Sequence, residues 1–294
     1  VKPLPNLKLR INNTNYFTDS LGHLTTSITS ATTGFVYLEG TWSTVKTNNI
    51  TPAFTTSFAA GPNSISFDSD ANIRERTAYY HVNIVHDYLK SKLPTFTGMD
   101  FSLETNVDDN SNTCNAFYNG NSINFYAAGG GCLSYATVGD VVYHEYGHGI
   151  NDNFYSDLGA NFNNGAMGEG YSDVWALAIT ENPILGIGGN DSDPNDYIRR
   201  YDIDPKIYPD DIVGEVHGDG EIIAGAWWDL YLNFGSDMDT TMVLFADAYY
   251  GLQAQTPNGN EGQAFRDVLL DVLQADDIDG DISNGTPNRS EEHT

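Results

Sequence analysis

The first 70 residues and the second half of the chain follow different hydrophobic rhythms. Leu7 to Ile11 alternates apolar and polar positions, and Gly34 to Leu38 is rich in aromatic and branched residues, so both predict strands. Thr, Ser, Asn and Gly fill the stretches between, with turns marked at Asp19-Ser20-Leu21-Gly22 and Ala60-Gly61-Pro62-Asn63. A helical pattern takes over at about Ala71 and runs to Lys90 behind the capping residues Asp68, Ser69 and Asp70. In it Ile73, Thr77, Tyr80, Ile84 and Tyr88 fall near one face. Pro94 and Gly98 end that region. Short strands and glycine turns return from Asp100 to Ser134. Cys114 to Gly120 followed by Ile123 to Tyr126 reads as a hairpin, with Gly129-Gly130-Gly131 beyond it.

After Tyr135 helical spacing dominates, at about 138–155, 165–181, 219–234, 240–254 and 261–275. A long connection rich in Asp, Pro and Gly spans 182–214, and no internal repeat is visible. The pattern predicts an α+β chain. Residues 1–137 form a β-rich lobe with one long helix and residues 138–288 a mainly helical lobe, with a functional cleft expected between the two. The last six residues, Arg289 to Thr294, read as a translated sequencing-adapter start. The genuine sequence is therefore expected to end near Asn288, with the gene continuing, and His293 is given no role. Val1 is not a natural initiator, so a mature form or a fragment is expected.

Composition narrows the function. The 294 residues are 40% hydrophobic, enough for a sizeable core. Forty acidic residues against 13 Lys and Arg give a formal charge of −27. No basic stripe exists to meet phosphates, so nucleic-acid binding is not expected. No apolar run is long enough to span a bilayer; the longest, Ile222 to Leu232, is short and broken by Asp229. Such a surface suits a secreted, monomeric protein in a salty or calcium-rich exterior, and equally an ordinary solvated acidic face. The two cysteines, Cys114 and Cys132, lack Cys or His neighbours that would make them metal ligands. In an exported chain they are expected to form one disulfide.

The chemistry lies in Val141 to His148, which contains H-E-x-x-H. On a helix, positions four apart differ by only about 40° around the axis, so His144 and His148 can reach one ion. Neutral imidazole suits zinc. Glu145, on a neighbouring face, can take a proton from a water at the metal without being a ligand. The competing reading is a helix whose histidines are merely satisfied core residues. A second segment, Gly168-Glu169-Gly170-Tyr171-Ser172-Asp173, supplies what a zinc site still needs. Glu169 is a third ligand at a plausible loop distance, and Asp173, one turn later, can accept a hydrogen bond from a ligand histidine's second nitrogen. Two acids on a solvated helix face would be the alternative, but Ala166, Met167, Val174, Trp175, Leu177 and Ala178 make this helix largely apolar.

H-E-x-x-H followed by G-E-x-x-S-D resembles the gluzincin peptidases, the thermolysin-like and fungalysin-like group. The forms His144-Glu145-Tyr146-Gly147-His148-Gly149 and Gly168 to Asp173 look closer to the fungalysin side. The resemblance covers about residues 70–234. It implies a two-lobed zincin fold with the zinc site in the cleft, one catalytic Zn2+, and a polypeptide substrate held in extended conformation. Ala78 to Tyr88 resembles the helix before the substrate-binding sheet. Asn115, Ala116 and Phe117 resemble the start of the edge strand that pairs with the substrate backbone, which implies an endopeptidase. The resemblance also implies a histidine that donates to the oxyanion, for which His217 in Glu215 to Glu221 is the candidate; an exposed loop histidine is the alternative. Tyr155 and Tyr171 are the candidates for an assisting tyrosine. A zinc aminopeptidase and a non-catalytic adhesion module that keeps the fold are the rival functions. Intact Glu145 and ligands argue against the adhesion module, and no motif marks a grip for a terminal amine.

His81 and His86, five apart, do not share a face and read as structural, and His23 sits in a turn. Asp277, Asp279, Asp281 and Asn284 alternate oxygen donors around Gly280 and suit a structural Ca2+ loop, or equally a solvated acidic loop. Asn190 to Asp193 offers a weaker version of the same pattern.

Overall fold

The computed structural model describes residues 2–292. Packing divides the chain into two compact units. The first comprises Val1–Asp87, Met99–Tyr146 and Ile187–Asp196, and the second Tyr88–Gly98, Gly147–Gly186 and Tyr197–Thr294. Two long helices contribute residues to both. The first unit is built mainly from strands and the second mainly from helices, so the chain is α+β.

The first unit is built on one sheet. Its strands are β1 (Leu7–Ile11), β2 (Thr14–Phe17), β3 (Thr32–Gly40), β4 (Ser43–Lys46), β5 (Ala53–Phe58), β6 (Leu103–Asp109), β7 (Ala116–Tyr118) and β8 (Ser122–Tyr126). The order is β2-β1-β3-β4-β6-β8-β7, and β5 also pairs with β3. The β4–β6 and β6–β8 pairs are parallel and the rest antiparallel. Alternation along β1 buries Leu7, Leu9 and Ile11, while the central strands bury Val36, Leu38, Val45, Leu103, Val107, Ile123 and Phe125.

Helix α1 (Ile73–Lys92) crosses this sheet in its first four turns. The buried stripe is Ala78, Tyr79, Val82, Asn83, Val85 and His86, whereas Ile73 is exposed and Tyr80, Ile84 and Tyr88 are half-buried. The face read from the sequence is thus the outer one. Polar groups explain the difference, because the inner face is held by hydrogen bonds. Tyr79 Oη donates to Pro5 O at 2.9 Å, and Asn6 Nδ2 donates to Asn83 Oδ1 at 2.9 Å. His86 stacks on Trp42 with ring centres 3.7 Å apart and bonds Asp100 at 3.2 Å.

Helix α2 (Gly139–Asp157) opens in the first unit and continues into the second. The second unit then adds α3 (Gly165–Thr180), the short pair β9 (Ile184–Leu185) and β10 (Arg199–Arg200), α4 (Val216–Asn233), α5 (Met238–Ala248), α6 (Glu261–Asp276) and α7 (Arg289–Glu292). Side-chain caps start three of them. Asn164 accepts from Met167 N at 2.9 Å, Glu215 from Gly218 N at 2.9 Å and Asp237 from Thr240 N at 3.1 Å. The Glu215 cap moves the start of α4 ahead of the expected position 219. The helix expected over 240–254 breaks after Ala248 into two short 3-10 turns, because Leu252 adopts a left-handed φ of 55°. The core is an aromatic cluster of Tyr155, Tyr171, Trp175, Phe245 and Tyr249, packed edge-to-face and tilted. The adapter-like tail supplies α7, and residues 293–294 lie outside the described residues.

Candidate metal centre

His144 and Glu145 are buried and His148 is half-buried on consecutive turns of α2. One residue before His148, Gly147 lets α3 approach: a Cβ there would stand 2.8 Å from the Cα of Ser172. That contact brings Glu169, one turn earlier on α3, within reach of His148, with Nε2 to Oε1 at 3.5 Å. One donor atom from each of His144, His148 and Glu169 falls within 4.8 Å of the other two. Among the described residues this is the one such grouping of three or more His, Cys, Asp or Glu. Two imidazoles and a carboxylate at this spacing fit zinc and leave a fourth position for water or substrate.

A second close approach sets the other side of the site. Gly170 and Gly220 face each other across α3 and α4. A Cβ at Gly220 would meet the Glu169 Cβ at 2.8 Å, and one at Gly170 would meet Gly220 O at 2.7 Å. With the helices this near, His217 in the first turn of α4 places Nε2 3.5 Å from Glu169 Oε2. Its Nδ1 lies 2.6 Å from Glu215 Oε1, which turns the ring so that Nε2 points toward Glu169. Backbone donation from Gly218, and then the bond to His217, hold the Glu215 carboxyl below its ordinary range. The buried Asp219 braces the loop from behind, accepting from Val213 N at 2.7 Å and Gly214 N at 3.0 Å.

Asp173 is buried one turn beyond Glu169. Arg199, the first residue of β10, clamps it with Nε and Nη2 at 2.6 and 2.7 Å, and Tyr201 donates its hydroxyl to the same carboxylate. Burial works to lower the guanidinium pKa, but Asp173 overrides this and holds it above the ordinary arginine value. Neither Arg199 nor Asp219 is marked by a sequence motif. The signal for Arg199 was its charge, since it is one of only 13 cations in a strongly acidic chain.

The other expected residues divide clearly. Cys114 and Cys132 are disulfide-bonded. Ala116 and Phe117 lie in β7, at the end of the sheet order, and Asn115 just precedes it. Tyr155 and Tyr171 are buried in the aromatic core. The Tyr155 hydroxyl accepts from Ala254 N at 3.1 Å, and that of Tyr171 donates to Gln253 at 3.0 Å. Both are core tyrosines. His81 bonds Tyr143 at 2.6 Å and packs on Gly139; burial, and then Lys2, push its pKa down to about 4. His23 is exposed in the turn of Asp19.

In the acidic loop, among the described residues, no three carboxylates place oxygens within 4.8 Å of one another. Asp277 accepts from Asp279 N at 3.3 Å, Asp279 from Asp281 N at 3.0 Å and Asp281 from Ser283 N at 3.0 Å, while Asn284 Nδ2 donates to Asp279 at 2.9 Å. The expected calcium donors are turned onto their own backbone as successive Asx turns. No helix of the described residues is long and apolar enough to cross a membrane.

A helix bearing H-E-x-x-H, with a glutamate of the next helix beside it, has the donor set of a zinc metallopeptidase. The thermolysin metallopeptidase catalytic-domain family model matches residues 11–152, which include both histidines and Glu145. The precursor of protealysin, a metalloproteinase from Serratia proteamaculans, has a similar fold. The TM-score is 0.55 at 16% identity, over 93% of this chain and 90% of that one. No curated protein sequence matches. The chain is a zinc metalloendopeptidase, similar over residues 11–152 to the thermolysin catalytic domain, and the aminopeptidase and adhesion readings are not favoured. The family match lies on the thermolysin side and gives no support to the leaning toward fungalysin.

Proposed function

We propose that His144, His148 and Glu169 hold the catalytic zinc, that Glu145 is the general base and acid, and that His217 stabilises the oxyanion. The convergence of the three donor atoms within 4.8 Å carries this reading. When bound, zinc would supply a Lewis acid that polarises the scissile carbonyl and makes a neighbouring water nucleophilic at neutral pH.

The remaining steps belong to side chains of this chain. The Glu145 carboxylate takes a proton from the attacking water and delivers it to the leaving amine nitrogen. His217 keeps Nδ1 on Glu215 and donates from Nε2 to the carbonyl oxygen as it becomes an oxyanion. Asp173 accepts from the second nitrogen of a ligand histidine. Arg199 holds Asp173 in place for that task, through the 2.6 and 2.7 Å bonds. An extended peptide adds to β7 from Asn115 to Phe117, so affinity comes largely from main-chain pairing. The acidic composition and the disulfide support a secreted enzyme, which we read as monomeric.

Glu145→Gln tests the assignment. Zinc content should stay at about one per chain, while casein cleavage falls by about 10²- to 10⁴-fold. Normal turnover by that variant would remove Glu145 from the mechanism.

A further inference from the structure

We propose that the Cys114–Cys132 disulfide is a substrate-positioning device: it fixes the entry of β7 to the loop at 129–133 and holds that strand where an extended peptide must meet it. The inference rests on the reading of β7 as the substrate-binding strand. β7 is three residues long and pairs with β8 alone among the described strands. An arm this short has little stability of its own, since isolated hairpins are marginal even at greater length.

Its entry is held from outside the sheet. Cys114 turns the chain toward the strand with a φ of 58°, and it is bonded to Cys132, 18 residues on. Thr113 nests against two glycines: a Cβ at Gly129 would meet its Cγ2 at 2.9 Å, and one at Gly130 its Oγ1 at 2.6 Å. The partner loop is itself fastened. Gly129 and Cys132 exchange two backbone hydrogen bonds of 3.0 Å. Leu133 N donates to Gly189 O at 2.8 Å, and Asp191 N to Gly131 O at 3.1 Å. The disulfide therefore links a weakly paired edge strand to a loop with several anchors. None of the proposed zinc ligands, Glu145 or His217 lies in either segment.

Opening the bond would enlarge the ensemble of conformations at the strand entry, and a peptide would have to order it on binding. Main-chain pairing acts on substrate and transition state alike, so its loss raises KM and leaves kcat in place.

The experiment compares the intact enzyme with the Cys114→Ser/Cys132→Ser variant. A second arm opens the disulfide in the wild-type enzyme with a phosphine, which supplies the two electrons while solvent supplies two protons, and then reoxidises it. Each form is assayed for kcat, KM and zinc content on one extended peptide and on its singly N-methylated analogues, methylated at each backbone position in turn. We expect KM to rise about tenfold in the open forms, with kcat and zinc held, and to return on reoxidation. An unchanged KM, with N-methylation still weakening binding at some positions, would overturn the proposal and leave the strand reading standing. N-methylation without effect on the intact enzyme would remove the strand reading and the proposal together. If the double variant does not fold, the reduced and reoxidised enzyme decides. Loss of kcat and zinc on reduction would make the disulfide a general staple and overturn the positioning role.

Discussion

Residues 144–217 and residues 277–284 both present metal donors at suggestive spacing, and they end in opposite states. In the first stretch, donors from α2 and α3 converge within 4.8 Å, with His217 of α4 beside them. In the second, each carboxylate closes a turn two residues ahead of itself. Helices brought together by Gly147, Gly170 and Gly220 direct donors from separate elements at a common point. Loop aspartates face no such constraint, and the nearest backbone N–H takes their oxygens first. Donor spacing in sequence therefore has to be read together with the backbone that presents the donors.

The largest expected effect tests this contrast directly. His148→Ala or Glu169→Gln should lose tightly held zinc, and casein cleavage should fall by about four orders of magnitude or more. Chelation of the wild-type enzyme should do the same and be reversed by added zinc. Retention of one zinc per chain in Glu169→Gln would show that the third ligand lies elsewhere.

Much of this was legible beforehand, for identifiable reasons. His144 and His148 are four apart on one helix, so a single local rule fixes their geometry. Cys114 and Cys132 had only each other. The hairpin of β7 and β8 and the strand β1 follow from local alternation and turn residues. What escaped is what depends on distant packing. Arg199 sits in a stretch that reads as irregular connection, and nothing local says that it reaches Asp173, 26 residues earlier. The inner face of α1 was missed because Asn83 and His86 are polar, and only their partners Asn6, Asp100 and Trp42 make them core residues.

His217 gives the next effect in size. Its Nε2 is oriented by Glu215, so His217→Ala should lower kcat about 10²-fold with zinc content unchanged. Glu215→Gln should be milder, about tenfold, since it removes the orienting charge and keeps a hydrogen-bonding partner. The Glu215 carboxyl titrates below its ordinary range, so the orienting contact is present near neutrality and is lost only as pH falls through that lowered value. A kcat for Glu215→Gln equal to wild type would make the 2.6 Å contact incidental.

Histidines outside the site should report on folding instead. His81 is held neutral down to a pKa of about 4 against an ordinary 6.5. The unfolded chain binds a proton there at a higher pH than the folded one. Stability is therefore complete above 6.5 and declines as the pH falls toward 4, by up to about 3 kcal/mol. Denaturant unfolding of wild type and His81→Asn between pH 7 and 4 checks this. The wild-type slope should exceed that of the variant, and parallel slopes would remove His81 as the cause.

The smallest expected effect is the most direct challenge to the contrast between helix and loop. Asp279 accepts from the Asp281 backbone and from Asn284, and its carboxyl is lowered by the Asn284 bond first and the backbone bond second. It is fully solvent-exposed, so water replaces these contacts readily, and Asp279→Asn should move Tm by no more than about 2 °C. Because the oxygens are already committed to the backbone, added calcium should shift Tm equally little in wild type and variant. A calcium-dependent rise in wild-type Tm that Asp279→Asn abolishes would show the Asx turns opening around an ion. Local backbone satisfaction would then be a resting arrangement of the loop and not a bar to metal binding.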